Sequence, residues 1–284
     1  MTDKTALIAA LMKTEALVVS PPGEVFWYTS GTVGPYYINT HYLFGGPASA
    51  GELLAFIDSS KGAPDFPVRL LERCRRAYDE VPEYRLTIDA LVEAAGETVS
   101  GVAMVSGGER RDWFFSAAVA DRLQLPHLLM YKDGGARWWD GKRDEAVDDL
   151  SGLTSLHVAD LVTEASSYTR AWVPALRDRR GDMAAAHNVI DRAQGGIDAI
   201  AAMGVPAHAL LRVDEGLFEA LEGQGAIDAS QREGLVAYYR DPHASMRAFL
   251  QQHPEFLERA LASHDERTAG RARLLVEGDL YQLG

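Results

Sequence analysis

A segment near the middle of the chain has the residue pattern of an anion-binding turn. Residues 156–162 are apolar except for His157 and Asp160, and Thr163, Ser166 and Ser167 follow before a helix-like stretch. A strand that ends in a small-residue turn before a helix directs backbone N–H groups and hydroxyls at an anion. Beside that turn, the Asp160 carboxylate would bind ribose hydroxyls or a magnesium ion. The alternative is a plain strand-to-helix turn, in which Ser166 or Ser167 is only the N-cap.

Arg192 stands at the end of another apolar stretch. Residues 185–190 are strand-like, and Asp191, Arg192 and the pair Gly195-Gly196 follow them. A guanidinium at the carboxyl edge of a strand can clamp a carboxylate through two parallel hydrogen bonds. We therefore predict that Arg192 binds a ligand carboxylate. The alternative is a structural ion pair with Asp191 or with a helix carboxylate.

Gly107 and Gly108 are further candidates for contact with an anion. They follow the apolar residues 102–105 and permit a close backbone approach to a ligand. Arg110 and Arg111 would add positive charge at the same place. The alternative is that both arginines are simply solvated.

Tyr36 and Tyr37 form an aromatic pair directly behind the turn Gly34-Pro35. Two such rings offer a stacking platform for a flat heterocycle. Aromatic residues on a strand more often belong to a hydrophobic core, so the residues alone leave both interpretations open.

These residues need a sheet to bring them together, and the middle of the chain predicts one. Strand-like stretches alternate with helical ones, at 102–105, 113–123, 127–131, 156–162, 167–176, 185–190, 197–203 and 209–213. This alternation predicts an α/β fold with an open, mostly parallel sheet and helices on both faces. Ligands of such sheets bind beyond the carboxyl ends of the strands.

The flanking parts of the chain have a different character. Residues 25–28 and 36–39 resemble two strands joined by a loop, and the chain after residue 214 is helical. We predict three segments: an N-terminal helix and hood at 1–60, an α/β core at 61–222, and a helical extension at 223–284.

Composition excludes several classes of protein. The formal net charge of −13 over 284 residues disfavours nucleic acid as a partner. Cys74 is the only cysteine, which excludes an intrachain disulfide and fits a reducing compartment, so a cytoplasmic protein is expected. No secretion signal or long apolar run is present, and no membrane partner is expected.

Together these segments resemble the type I phosphoribosyltransferases of the orotate kind. Residues 158–167 are similar to the family's motif for 5-phosphoribosyl diphosphate (PRPP), Val-Glu-Asp-Leu-Ile-Thr-Thr-Gly-Gly-Ser, with matches at Asp160, Leu161, Thr163 and Ser167. Residues 26–39 are similar to the family's orotate loop. Residues 189–196 resemble its Val-Asp-Arg-x-Gln-Gly-Gly strand end, and residues 125–132 its strand that ends in Arg-Lys.

The resemblance implies a role for each matching residue. Catalytic roles fall to Lys132 and Asp160, and PRPP binding to Asp160, Thr163, Ser166, Ser167, Gly107 and Gly108. Base binding falls to Tyr36, Tyr37 and Arg192. The implied partners are an orotate-like base and PRPP with Mg²⁺, which Asp160 would contact through the metal diphosphate, and the implied assembly is a homodimer.

Some positions depart from the family pattern and motivate a second hypothesis. Ala159 replaces the first acid of the PRPP motif, Glu164 and Ala165 replace Thr-Gly, and Thr29 replaces a lysine. A carboxylate at Glu164 would repel a phosphate, and losing both glycines would remove easy access to positive φ. The second hypothesis is therefore a catalytically degenerate protein that binds a small anionic heterocycle or a nucleotide.

The family's mobile catalytic loop is expected after Lys132. Residues 133–143 lack its histidine, although Arg137, Lys142 or Arg143 would supply positive charge. Trp138 and Trp139 there predict either an apolar lid or a packing contact.

Overall fold

The computed structural model describes residues 3–283, apart from the side chain of Glu97, and divides the chain into two compact units. Residues up to Ala16 join Asn39–Val213 in the first, which we call the sheet unit. Leu17–Ile38 join the residues from Asp214 onwards in the second, which we call the helical unit. This grouping differs from the predicted segments 1–60, 61–222 and 223–284, because residues 17–38 are built into the helical unit.

The strands and helices of both units are numbered along the chain. The strands are β1 (Leu17–Val19), β2 (Phe26–Trp27), β3 (Val33–Gly34), β4 (Tyr36–Ile38), β5 (Met104–Gly108), β6 (His127–Met130), β7 (Ala136–Trp139), β8 (Asp144–Ala146), β9 (Thr154–Val162), β10 (Asp182–Asp191) and β11 (Ala207–Arg212). The α-helices are α1 (Lys4–Lys13), α2 (Gly46–Ser60), α3 (Phe66–Glu80), α4 (Pro82–Ala95), α5 (Trp113–Leu123), α6 (Val173–Asp178), α7 (Gly196–Ala201), α8 (Glu215–Gly223), α9 (Ala229–Arg240), α10 (Pro242–Gln252), α11 (Pro254–Leu261) and α12 (Glu266–Glu277). Short 3-10 turns cover Thr40–Phe44 and Gly96–Gly101, and a π-helical turn covers Tyr168–Trp172.

The sheet unit contains the predicted parallel sheet. Within the described residues its strand order is β11-β10-β9-β5-β6-β7-β8, and the first five strands run parallel. The central strands are apolar and buried, as strands covered by helices on both faces must be. The open, mostly parallel α/β sheet expected from the sequence is confirmed, and the parallel strands end at one edge.

The segment expected to be a mobile catalytic loop is instead a β-hairpin that extends this sheet. β7 pairs antiparallel with β6, and β8 pairs antiparallel with β7. Trp138 is buried in the apolar core, and Arg137 pairs with Asp144 across the hairpin (Nη2–Oδ2 2.7 Å). The loop prediction was wrong for residues 136–139, because inward-facing Ala136 and Trp138 gain burial that a solvated loop forgoes. Trp138 is a packing contact.

The turn of this hairpin is short and well bonded. The Asp140 carboxylate accepts hydrogen bonds from the N–H groups of Lys142 and Arg143 and from the Trp138 indole. These bonds lower the pKa of Asp140 to about 2. An ionised aspartate thus holds the turn closed.

In the helical unit, the segments on either side of the predicted orotate loop form strands but do not pair with each other. Residues 25–28 and 36–39 resemble two strands joined by a loop. β2 pairs instead with β3, and β4 pairs with β1, both antiparallel. Only residues 28–32 separate β2 from β3, so the nearer partner closes the smaller loop.

No helix among residues 3–283 has the length and apolar character required to cross a membrane.

Candidate ligand-binding site

A cavity of about 340 Å³ lies in the sheet unit, beyond the carboxyl ends of β5, β6 and β9. This is the edge at which the sequence predicts ligand binding. Its walls come from the turn after β5, from Lys132 two residues after β6, and from the end of β9 with the turn that follows it. The lining residues are Glu109, Arg110, Arg111, Asp112, Lys132, Ala159, Asp160, Leu161, Val162, Thr163, Ala165, Ser166, Ser167, Tyr168 and Trp172.

The turn after β9 keeps the form of an anion-binding loop without any glycine. Ala165 adopts the left-handed backbone conformation, with φ 57°. The N–H groups of residues 163–165 donate no hydrogen bond to another group between residues 3 and 283. Left-handed φ costs a non-glycine residue roughly 1–2 kcal/mol, and other interactions of the fold offset that cost at Ala165. Losing both glycines has therefore not removed positive φ from this turn, although Ala165 adopts it only at this cost.

Glu164 lies outside the cavity. Its side chain is exposed, and it is absent from the cavity wall to which both neighbours, Thr163 and Ala165, belong. Side chains on consecutive residues of a tight turn diverge, so a charge at position 164 need not face the ligand. The expected repulsion between Glu164 and a bound phosphate does not follow from this geometry.

Two acidic residues form the floor of the cavity. The Asp112 carboxylate accepts the N–H of Asp160 (Oδ1, 3.1 Å) and the N–H of Gly108 (Oδ2, 3.1 Å). Burial raises the pKa of Asp160 well above its ordinary value, and the charge of Asp112 with a hydrogen bond between the two carboxyl groups raises it further. The nearby charge of Arg111 and the N–H of Leu161 act in the opposite direction. The floor thus carries less negative charge than two ionised acids would.

Basic residues also line the cavity. Arg111 and Lys132 are exposed at its wall, and neither forms an ion pair with another residue between 3 and 283. Arg110, in contrast, pairs with Asp58. Glu109 accepts the backbone N–H of Lys132 (3.1 Å) and pairs with the Lys61 side chain. Arg111 and Lys132 are therefore the cations that a bound anion would meet.

Arg192 lies at the same edge of the sheet as the turn after β9. Its backbone N–H donates to the Val162 carbonyl (2.9 Å). The turn that follows packs directly on the anion-binding loop, because a side chain at Gly196 would clash with the Thr163 carbonyl. Asp191 pairs with Arg212 (3.7 Å) and accepts the N–H of Ala193. The ends of β9 and β10 are thus joined, although Arg192 is not among the residues that line the cavity.

Gly107 and Gly108 are not part of the cavity wall either. A side chain at Gly107 would clash with Ser116 of α5, and one at Gly108 would clash with the Trp172 ring. The Gly108 N–H is already bound to Asp112. Both glycines therefore permit close packing, and their predicted contact with an anion has no support from the geometry.

Tyr36 and Tyr37 belong to the helical unit and are engaged in its own packing. The Tyr36 ring meets the edge of Tyr238 (5.7 Å between ring centres), and the Tyr37 ring packs on Phe26 (4.7 Å). The Tyr37 hydroxyl donates to the Trp27 carbonyl. Both rings therefore make the contacts of hydrophobic core residues, which was the alternative to a stacking platform.

The donor set of the cavity suits a metal ion that brings part of its own coordination. Between residues 3 and 283 no group of three or more His, Cys, Asp or Glu is placed to hold a metal ion. Asp160 and Asp112 suit a Mg²⁺ ion that arrives with phosphate ligands of its own, since Mg²⁺ commonly uses one or two carboxylates plus substrate phosphates.

Several residues of the site were not singled out from the sequence. Asp112, Tyr168 and Trp172 line the cavity, and Tyr168 donates to the Asn188 side chain (2.8 Å). No local pattern marks them, because their positions depend on the meeting of β5, β9 and β10. The hairpin did carry a signal: Asp140-Gly141 between alternating residues is a common hairpin turn.

The sequence matches no family model and no curated protein, whereas its fold matches solved structures. UMP synthase of Leishmania donovani aligns with a TM-score of 0.54 at 16% identity, over 88% of this chain and 42% of that one. Orotate phosphoribosyltransferase of Francisella tularensis aligns with a TM-score of 0.53 at 15% identity, over 82% and 96% of the two chains. The orotate phosphoribosyltransferase of Aeropyrum pernix gives a TM-score of 0.49 at 20% identity, over 77% and 99%.

The chain therefore has the α/β fold of the type I phosphoribosyltransferases.

Proposed function

We propose that the cavity binds a 5-phosphoribosyl group and that this chain joins orotate, or a similar carboxylated base, to PRPP. The observation that carries this proposal is the turn at residues 162–167. Ala165 holds left-handed φ, the N–H groups of residues 163–165 are unengaged within the described chain, and Glu164 stands outside the cavity. Such a turn suits a phosphate dianion.

The lining residues suggest how the ligand would be divided among them. Thr163, Ser166 and Ser167 would hold the 5-phosphate, and Asp160 the ribose hydroxyls. Lys132 and Arg111 would face the diphosphate, since both are exposed cations at the wall. In the reaction the bond from the anomeric carbon to the diphosphate breaks as the bond to the base nitrogen forms, and the proton on that nitrogen passes to the diphosphate or to water. The protein contributes by holding both partners in place and by neutralising the charge of the departing diphosphate.

Mg²⁺ would enter with the diphosphate. Asp160, which lines the cavity, would contact it, and the ion would neutralise charge on the leaving group.

The base side of the site has weaker support. Arg192 stands next to the turn after β9 and remains the candidate for a ligand carboxylate. Tyr36 and Tyr37 are occupied by contacts of the helical unit, which removes the aromatic pair as a reason to choose orotate over another acceptor.

A second candidate is a protein that binds the phosphoribosyl ligand without turnover. The hairpin of β7 and β8 favours it, because a bonded turn at Asp140 stands where the family resemblance leads one to expect a mobile catalytic loop.

Calorimetry with PRPP and Mg²⁺, followed by an assay for diphosphate release with orotate and other carboxylated bases, tests both candidates. Binding with turnover supports transfer, and binding without turnover on any base supports the second candidate. Failure to bind PRPP at millimolar concentration overturns both.

We also propose a homodimer, on the family resemblance alone. Light scattering on the eluting protein should give twice the chain mass of 31.0 kDa, and a mass of one chain contradicts it.

A further inference from the structure

β10 and the edge strand β11 each carry a histidine at the same level of the sheet. His187 and His208 are direct partners in the register of these parallel strands, and neighbouring strands lie about 4.8 Å apart. Both side chains therefore leave the sheet on the same face. The two imidazole rings meet edge to face, with 5.6 Å between the ring centres and 77° between the ring planes.

His187 differs in its hydrogen bonding from the other buried histidines of the sheet. His127 Nε2 is bonded to the Ser116 hydroxyl (2.9 Å), and His157 Nδ1 is bonded to the Ser106 hydroxyl (3.0 Å). His187 has no such partner: it is 3% exposed, and its Nδ1 is buried without a hydrogen bond in the described part of the chain. Because buried polar atoms are normally bonded, this nitrogen calls for an explanation.

The protonation state of His187 suits a metal ligand. Burial, and to a smaller extent the charge that His208 carries when protonated, lower the pKa of His187 to about 4. His187 is therefore neutral at neutral pH, and the neutral imidazole is the form that ligates a metal ion. His208 is exposed on the edge strand, so an ion can reach the pair from solvent. Only the backbone carbonyl of His208 accepts a hydrogen bond, from Asn188 (3.1 Å).

The spacing of the two rings fits one shared ion. A bond between zinc and an imidazole nitrogen is about 2.0–2.1 Å long, so two imidazoles on one tetrahedral ion have their ring centres roughly 5–6 Å apart. The observed distance of 5.6 Å lies within that range. Within the described residues no third His, Cys, Asp or Glu completes a metal-binding group with the pair. Water would therefore fill the remaining positions, and the ion would exchange with solvent.

We propose that His187 and His208 form a two-histidine site for a divalent transition-metal ion of the Zn²⁺, Ni²⁺ and Cu²⁺ class. Imidazole nitrogen suits these ions, whereas Mg²⁺ and Ca²⁺ prefer oxygen ligands. Neither histidine lines the cavity beyond β5, β6 and β9, so the inference does not depend on the proposed function. A bound ion would join the edge strand β11 to β10 through side chains as well as through the backbone.

Calorimetric titration of the full chain with Zn²⁺, in a buffer free of phosphate, tests the site. We expect His208→Ala to weaken Zn²⁺ binding by about tenfold or more, because loss of a mere hydrogen-bond partner of a metal ligand already costs about 10–100-fold. His264→Ala is the matched control: it removes another exposed histidine, in the helical unit, and should leave the affinity unchanged. Absence of Zn²⁺ binding at millimolar concentration, or an equal effect of the two variants, overturns the inference.

Two further measurements identify the ligand atoms. The electron paramagnetic resonance spectrum of bound Cu²⁺ should show coupling to two nitrogens in the full chain and to one in His208→Ala. His187→Gln should give the same loss from the other ligand, and His208→Ala keeps the test decisive if that buried variant does not fold, since His208 is exposed. An excess of Mg²⁺ should not displace Zn²⁺. Displacement by Mg²⁺, or a Cu²⁺ spectrum that His208→Ala leaves unchanged, would place the ion on other ligands and overturn the inference.

Discussion

The turn after β9 and the segment Trp27–Tyr37 teach opposite lessons about motif similarity. The turn has lost the family's glycines, yet Ala165 keeps left-handed φ and Glu164 stands outside the cavity. Trp27–Tyr37 is similar in sequence to the family's orotate loop, yet its rings pack within the helical unit. Backbone conformation can survive a change of residue types, and the same residue types can serve a different purpose.

The helical unit shows what that purpose is. Trp27 stacks on Phe256 of α11 (5.4 Å), and a side chain at Gly31 would meet the Leu274 side chain of α12 at 2.8 Å. The Tyr281 hydroxyl accepts the N–H of Val33 (3.1 Å). Residues that could have formed a ligand platform are the packing surface for the C-terminal helices.

Charge reversal at the cavity should have the largest effect on ligand binding. We expect Arg111→Glu to weaken PRPP binding by about a hundredfold, because an attraction to the ligand becomes a repulsion. Arg76→Glu, on the exposed face of α3, changes the net charge equally and should alter affinity by less than about threefold. Calorimetry at one salt concentration measures both, and equal losses in the two variants would show that Arg111 acts only through net charge.

The Tyr37 hydroxyl tests the other side of the comparison. We expect Tyr37→Phe to lower the free energy of unfolding by about 1 kcal/mol, because the Trp27 carbonyl loses one of its two side-chain donors and keeps only Arg271 (3.2 Å). Tyr239→Phe, on α9 in the same unit, should change it by less than about 0.5 kcal/mol. Denaturant unfolding measures both. A Tyr37→Phe protein of unchanged stability that binds orotate less tightly would restore the ligand-platform role.

Ala165 offers a test of backbone strain. Ala165→Gly removes the strain of left-handed φ, but it adds entropy to the unfolded chain and loses a buried methyl group. Because these effects offset one another, we expect the free energy of unfolding to change by less than about 0.5 kcal/mol. Ala175→Gly, inside α6, relieves no such strain and should lower it by about 0.5–1 kcal/mol. Thermal unfolding measures both, and a loss in Ala165→Gly that exceeds the loss in Ala175→Gly would be inconsistent with a strained alanine at this turn.

Glu164 should have the smallest effect. Since its side chain lies outside the cavity, Glu164→Thr is expected to change PRPP affinity by less than about threefold. Calorimetry under the conditions used for Arg111→Glu checks this. A tenfold gain in affinity would mean that Glu164 does repel the ligand.

Local sequence patterns predicted most of the strands and helices of the sheet unit. The apolar stretches at 127–131 and 156–162 correspond to β6 and β9, and the helix predicted at 113–123 is α5. Such elements follow from burial on both faces and from short connections, which are written in consecutive residues. The hairpin at 136–146 was not predicted. Its local signal is the alternation of buried and less buried residues at 136–139, whereas the family resemblance indicated a mobile loop there.

The sequence by itself determined the order of strands and helices, the turn residues after β9 and the edge of the sheet where a ligand would bind. These features depend on the periodicity of apolar residues and on the direction of the chain, and both can be read from residues that are neighbours in the sequence. Only the tertiary structure decided that Asp112 reaches Asp160 from 48 positions away, that Glu164 lies outside the cavity, and that Tyr36 and Tyr37 serve a core. Side-chain direction at a turn, and the partner that covers an apolar face, depend on contacts between residues distant in the chain, and no local spacing encodes them.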